Sequence, residues 1–295
     1  MIIDAHLNTS GVERASDLLR VFDEANVDAG VLLAPFLCNG YTLHDPQKVR
    51  EANDFLSKLV RGHEDRLVGL AIVNPLHDDA PDEVRRAIDT KGLVGLKMVP
   101  TGWLPEDDCA RRVFEVASEL ELPVLFHSGI FIDGRSGRYC RPANYEVVRD
   151  YPGMRVVLAH LGWPWTDESI AVGLIDRING VPHDESQIRF DFSWGAPPAY
   201  RLSMLRNAID LLSPAMLQFG SDRVLPVEAA SIREAIDEVN DLLDQLNVDA
   251  AGRERIFAGT AANWLKWPKQ AHDHLNQPFI PYELNAPSAR VASSR

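Results

Sequence analysis

In the opening stretch "MIIDAHLNTS", His6 and Asn8 stand two residues apart. Further imidazoles occur at His127 in "PVLFHSG" and His160 in "VVLAHLG", a carboxylate at Asp222 in "LQFGSDR", and an amine at Lys97 in "GLKMVP". Imidazole and carboxylate suit Zn²⁺, Mn²⁺ or Fe²⁺, and three protein ligands with one open position is the usual catalytic arrangement. Such an ion lowers the pKa of bound water towards about 7 and supplies a nucleophile at neutral pH. A free oxygen of Asp222 would accept the water's proton, and His160 would hold an oxyanion developing on the substrate. Each residue also has a plainer reading. Buried histidines are commonly satisfied core groups, Asp222 suits a helix N-cap, and Lys97 suits an ion pair with Asp4 or Asp191. Three histidines in equivalent places weigh against that plainer reading.

The places are equivalent because each residue lies in or ends a short apolar run. The runs are 1–8, 28–35, 66–73, 93–99, 122–128, 154–160, 188–194 and 216–222, rich in Val, Ile and Leu. Between them lie segments with apolar residues at three- and four-residue spacing, such as 46–64, 107–121 and 228–246. Strand alternating with helix predicts parallel βαβ units, and near-continuous apolar strands predict a sheet buried on both faces. Eight units predict a single-domain (β/α)₈ TIM barrel over 1–270. The stretch 253–267 forms an added C-terminal helix, and 271–295 a loose tail rich in Pro, Ala and Ser. No GxGxxG follows the first strand, which removes the usual mark of a dinucleotide fold. In such barrels the active site gathers at the C-terminal strand ends, where the loops converge. Strict alternation would put Asp4, His6 and Asn8 on one face of the first strand and Ile3, Ala5 and Leu7 on the other.

The chain has 295 residues with 30 Lys plus Arg against 43 Asp plus Glu, a formal charge of −13. With no dense basic cluster, nucleic acid and anionic membrane are not expected partners. No basic leader precedes an apolar core and no run approaches the roughly 20 residues of a membrane span, so a soluble cytoplasmic protein is expected. Three scattered cysteines, Cys38, Cys109 and Cys140, form no CxxC pair and are read as reduced thiols.

Five stretches in this order, "IIDAHLN", "PVLFHSG", "RVVLAHLGWP", "LQFGSDRVLP" and "IFAGTAANWLKW", resemble the amidohydrolase superfamily. Within it they resemble the amidohydrolase-related branch of aminocarboxymuconate semialdehyde and resorcylate-type decarboxylases and pyrone dicarboxylate lactonases. The resemblance implies a metal-binding (β/α)₈ hydrolase with one divalent ion, such as Zn or Mn, at His6, Asn8, His127 and Asp222. It makes His160 the residue that orients substrate or water, and it places Lys97 where binuclear relatives carry a carboxylated Lys or a Glu. Asn8 departs from the pattern. It stands where the second His of His-X-His is usual and offers one weak oxygen ligand, so the metal-free route of the lactonases is the alternative.

The loop after the fifth strand holds Arg135, Arg138, Arg141 and Tyr139, and guanidinium forks match carboxylates, so a small anionic substrate is expected. Arg223 is a further cation, and Trp163 and Trp194 follow strands where they would wall a planar ligand. The expected reaction is hydrolysis of a C–O or C–N bond in a lactone, ester or amide. The alternatives are non-oxidative decarboxylation (a lyase) of an aromatic or dienoic acid, and a barrel that only binds a ligand. Barrels of this size often pair, which makes a homodimer a reasonable expectation.

Overall fold

A computed structural model describes residues 1–130, 137–193 and 195–267. The expected tail at 271–295 lies outside the described residues, as do Arg135 and Trp194. The strands are β1 (Ile3–Asn8), β2 (Ala29–Leu33), β3 (Leu67–Ile72), β4 (Gly95–Met98), β5 (Pro123–Phe126), β6 (Arg155–Leu158), β7 (Ile188–Asp191), β8 (Leu217–Gln218) and β9 (Arg223–Val224). The α-helices are α1 (Ala15–Ala25), α2 (Pro46–Val60), α3 (Ala80–Arg85), α4 (Asp108–Glu119), α5 (Thr166–Ile178), α6 (Pro198–Leu211), α7 (Ala229–Gln245), α8 (Ala250–Glu254) and α9 (Thr260–Leu265). Among the described residues, the crossover after β5 holds 3₁₀ turns at Gly137–Cys140 and Pro142–Asp150. No helix among the described residues is long and apolar enough to cross a membrane.

Local chemistry sets these boundaries. Asp45 caps α2 by accepting from Gln47 N at 2.8 Å, with Pro46 in the first helical position, where its missing N–H costs nothing. Asn26 ends α1 on left-handed backbone, φ 56°, a conformation Asn tolerates better than most residues.

All pairings are parallel, in the order β8-β7-β6-β5-β4-β3-β2-β1-β9. The eighth strand position is split: β8 pairs with β7 and β9 pairs with β1. Between them Ala5 N donates to Phe219 O at 3.1 Å and Asp222 N to His6 O at 2.8 Å, which closes the barrel. The apolar side chains divide accordingly. Leu32, Leu96, Phe126 and Leu158 pack outward on helix residues such as Phe22, Leu56 and Phe114. Val31, Leu33, Leu70, Leu125 and Val157 form an inner cluster with Ala261, Trp264 and Leu265 of α9, which plugs the end of the barrel away from the loops that follow the strands.

The first strand does not alternate as expected. Its register against β2 shifts between Asp4 and Leu7, so Ile3 and Ala5 join the inner cluster while Leu7 packs outward. Asp4 is freed by this bulge to pin the seam, its Oδ1 accepting from Ser221 N at 2.8 Å and His6 N at 3.3 Å. Burial pushes its carboxyl up to about 6, against the lowering effect of those hydrogen bonds.

Trp264 is fully buried, donates Nε1 to Arg155 O at 2.9 Å and accepts from Arg155 Nε at 2.6 Å. Trp264→Ala is expected to lower unfolding free energy by about 3–5 kcal/mol, read from a denaturant titration.

Candidate active site

Over the C-terminal strand ends lies a cavity of about 360 Å³. Its floor is polar, with His6 and Asn8 from β1, Lys97 from β4, His127 after β5, His160 after β6 and Asp222 from the seam. Its walls are apolar: Phe36, Leu37, Val99, Ile130, Trp163 and Val224.

Asp191 organises the floor. Fully buried at the end of β7, it accepts from His6 Nδ1 at 2.9 Å through Oδ2, and from the backbone N–H of His160 at 2.9 Å and of Ser193 at 3.0 Å through Oδ1. The Ser193 hydroxyl donates to the same Oδ1 and lies 2.9 Å from His160 Nδ1. Burial alone would raise the Asp191 carboxyl. The attraction and hydrogen bond of His6, with His160 and Ser193, outweigh it and hold the group well below the usual carboxylate range.

These bonds set the tautomers, read from the donors available. Lys97 Nζ lies 3.3 Å from His6 Nε2, and an ammonium can only donate, so His6 offers Nε2 as acceptor and its Nδ1–H to Asp191. Ser193 Oγ has given its hydrogen to Asp191, so His160 Nδ1 donates to Ser193 and Nε2 of His160 is left as an acceptor. Burial lowers the pKa of His160, and lowers that of His127 further, with His160 and Lys97 adding to the fall at His127. Both are neutral imidazoles at pH 7. Burial also lowers the Lys97 ammonium, opposed by Asp191 and Asp222, to about 8, which leaves it mainly charged at neutral pH.

Asp222 closes the set. Its backbone is left-handed, φ 53°, as are His160 at φ 60° and Leu161 at φ 46°. Such conformations cost roughly 1–3 kcal/mol each and gather at functional sites. The expected helix N-cap is not its role, since α7 starts seven residues later, at Ala229. Asp222 Oδ1 accepts from Asn8 Nδ2 at 2.8 Å and lies 3.3 Å from His6 Nε2. Gly220 and Gly195 allow this crowding. A Cβ on either would come within 2.6 Å of the Cβ of His6 or His160.

The expected metal ligands thus reach one rim without being arranged as ligands. His6 Nε2 faces the Lys97 ammonium, the Asn8 amide turns a donor to Asp222, and His127 Nε2 lies 3.1 Å from Ile130 O. Among the described residues no three His, Cys, Asp or Glu side chains converge as a metal-binding group. This donor set does not fit a divalent ion while Lys97 holds its place.

Of the substrate-binding candidates, Trp163 lines the cavity. Arg141 pairs with Glu168 and lies over the Trp165 ring, Arg138 lies over Tyr139, and Arg223 reaches Ser231 O and Glu234. None of Arg138, Tyr139, Arg141 and Arg223 is among the residues lining the described cavity. Sequence reasoning named Asp191 as an ion-pair partner for Lys97 without seeing its organising role. Of the walls it named Trp163 but not Phe36, Leu37, Val99, Ile130 or Val224, because single apolar loop residues carry no periodic signal. Asp191→Asn is expected to cost about 1–3 kcal/mol in urea unfolding, because it strips a buried acceptor from His6 and His160.

The family model described as Amidohydrolase matches residues 3–267. No curated protein matches by sequence. Among solved structures, the chain is similar to a 5-carboxyvanillate decarboxylase of Novosphingobium aromaticivorans, complexed with manganese and a nitrobenzoic acid. That match has 13% identity and TM-score 0.62, over 90% of this chain and 96% of that one. A probable 2-pyrone-4,6-dicarboxylic acid hydrolase of Acinetobacter baumannii is similar at 15% identity and TM-score 0.62, over 90% and 99%. An amidohydrolase of Burkholderia multivorans with bound zinc is similar at 15% identity and TM-score 0.65, over 91% and 100%. With the match spanning every described strand and the whole polar floor, the chain belongs to the amidohydrolase family.

Proposed function

We propose that this chain is a hydrolase cleaving a C–O or C–N bond in a small lactone, ester or amide. The observation that carries the reading is Asp222, a carboxylate that accepts a hydrogen bond from Asn8 beside three imidazoles on the floor of an apolar-walled cavity. Asp222 takes a proton from water as the water oxygen bonds to the substrate's carbonyl carbon, and the C=O pair moves onto oxygen. His160, neutral and with Nε2 as acceptor, takes the water's other hydrogen in a hydrogen bond and aims its lone pair. Collapse of the tetrahedral intermediate restores the carbonyl and expels the alkoxide or amine, which takes the proton back from Asp222. The sequence reading gave His160 the oxyanion; its Nδ1–H is already spent on Ser193, so the acceptor role suits it better.

Because the donor set does not fit a divalent ion, no step passes through one. Decarboxylation through a metal-held carboxylate needs that ion, so hydrolysis is the better supported reaction. A barrel that only binds ligand is weaker still, since it would bury these polar groups and hold three left-handed backbones for no chemical return. The apolar walls favour a substrate whose body is aromatic or aliphatic and whose acyl group points to the floor.

A panel of lactones, esters and amides tests the reading, with acid release as the readout. Turnover of at least one is expected, and Asp222→Asn should reduce it by about 10²–10⁴-fold. Release of carbon dioxide from aromatic or dienoic acids, with no acid release across the panel, would overturn it.

A further inference from the structure

We propose that the Lys97 ammonium stands where a divalent ion would have to bind, excludes that ion, and carries the positive charge that hydrolysis places next to the substrate oxygen. The exclusion rests on geometry alone; the oxyanion role rests on the hydrolase reading above.

Lys97 Nζ lies 3.3 Å from His6 Nε2, the lone pair an ion would take, and the residue is only 2% exposed. A dication bound there would share a buried floor with a like charge a few ångströms away, a repulsion that the low-dielectric interior screens poorly. Position 8 repeats the pattern. Where a ligand would offer a lone pair, the Asn8 amide donates an N–H to Asp222 Oδ1 at 2.8 Å. At both places where a metal site presents acceptors, this chain presents donors. Lys97 and Asn8 therefore act together: the first supplies a fixed cation, and the second ties the carboxylate that a metal would otherwise hold.

Lys97 also lines the cavity with Asp222 and His160. An ammonium has three N–H donors, and His6 Nε2 takes one. The others remain for the carbonyl oxygen as it gains negative charge, the task a Lewis acid performs in a metal hydrolase.

The test is calorimetric titration of ZnCl₂ and MnCl₂ into the tag-free, chelator-treated full chain, which needs no substrate and so reads independently of the reaction. For the wild type, any dissociation constant weaker than about 1 mM is the expected result. Lys97→Met, and Lys97→Gln should the first variant lack a cooperative melt, is expected to bind zinc at least about tenfold more tightly. Adding His6→Ala should abolish the gain. One equivalent of zinc or manganese held tightly by the wild type, with Lys97 carboxylated or not, overturns the proposal. Folded variants that bind zinc no better than the wild type overturn it equally. Should the ion stay excluded while the substrate panel shows no hydrolysis, the exclusion stands and the oxyanion role falls.

Discussion

A buried carboxylate must be paired, and in this molecule one such group, Asp191, recruits the chemistry around it. Its two oxygens accept from His6, from the backbone of His160 and from Ser193, so a single charge fixes two rings and their tautomers. Those rings then have only one way to face the cavity. His6 turns Nε2 towards Lys97, and His160 keeps its Nε2 lone pair. The ordering runs outward from a side chain that never meets the substrate.

Much of this was legible in sequence. The eight runs lie on the observed strands with ends displaced by a few residues at most, because Val- and Leu-rich runs bounded by Gly, Pro and Asp leave little choice of element. The floor was legible too, since a polar side chain at a strand end stands out against apolar neighbours. The β1 bulge was not. There Asp4 meets the seam at Ser221, 217 positions away in the chain, and "MIIDAHLN" fits regular alternation equally well. The pairing of Arg141 was not legible either: Glu168 meets it across 27 residues, and nothing near "GRYCRP" announces it. The 3₁₀ turn at Pro142–Asp150 likewise has no clear mark in "RPANYEVVRD".

Asn8 reads differently once the structure is in view. In the sequence it is a lost imidazole, a defect in a ligand pattern. In the fold it is a donor placed on Asp222 beside a second donor, Lys97, placed on His6. The two donors, one on each side of the floor, serve the same electrostatic end. Similar structures that carry manganese or zinc show that the barrel accommodates metal sites in other members. Function here is set by a handful of strand-end side chains on a shared scaffold.

The split eighth strand binds architecture to reactivity. The backbone N–H of Asp222 closes the seam on His6 O, while the side chain of Asp222 faces the cavity. Any excursion that parts β1 from its neighbour therefore separates Asp222 from His6. The polar floor is complete only once the last strand has docked on the first.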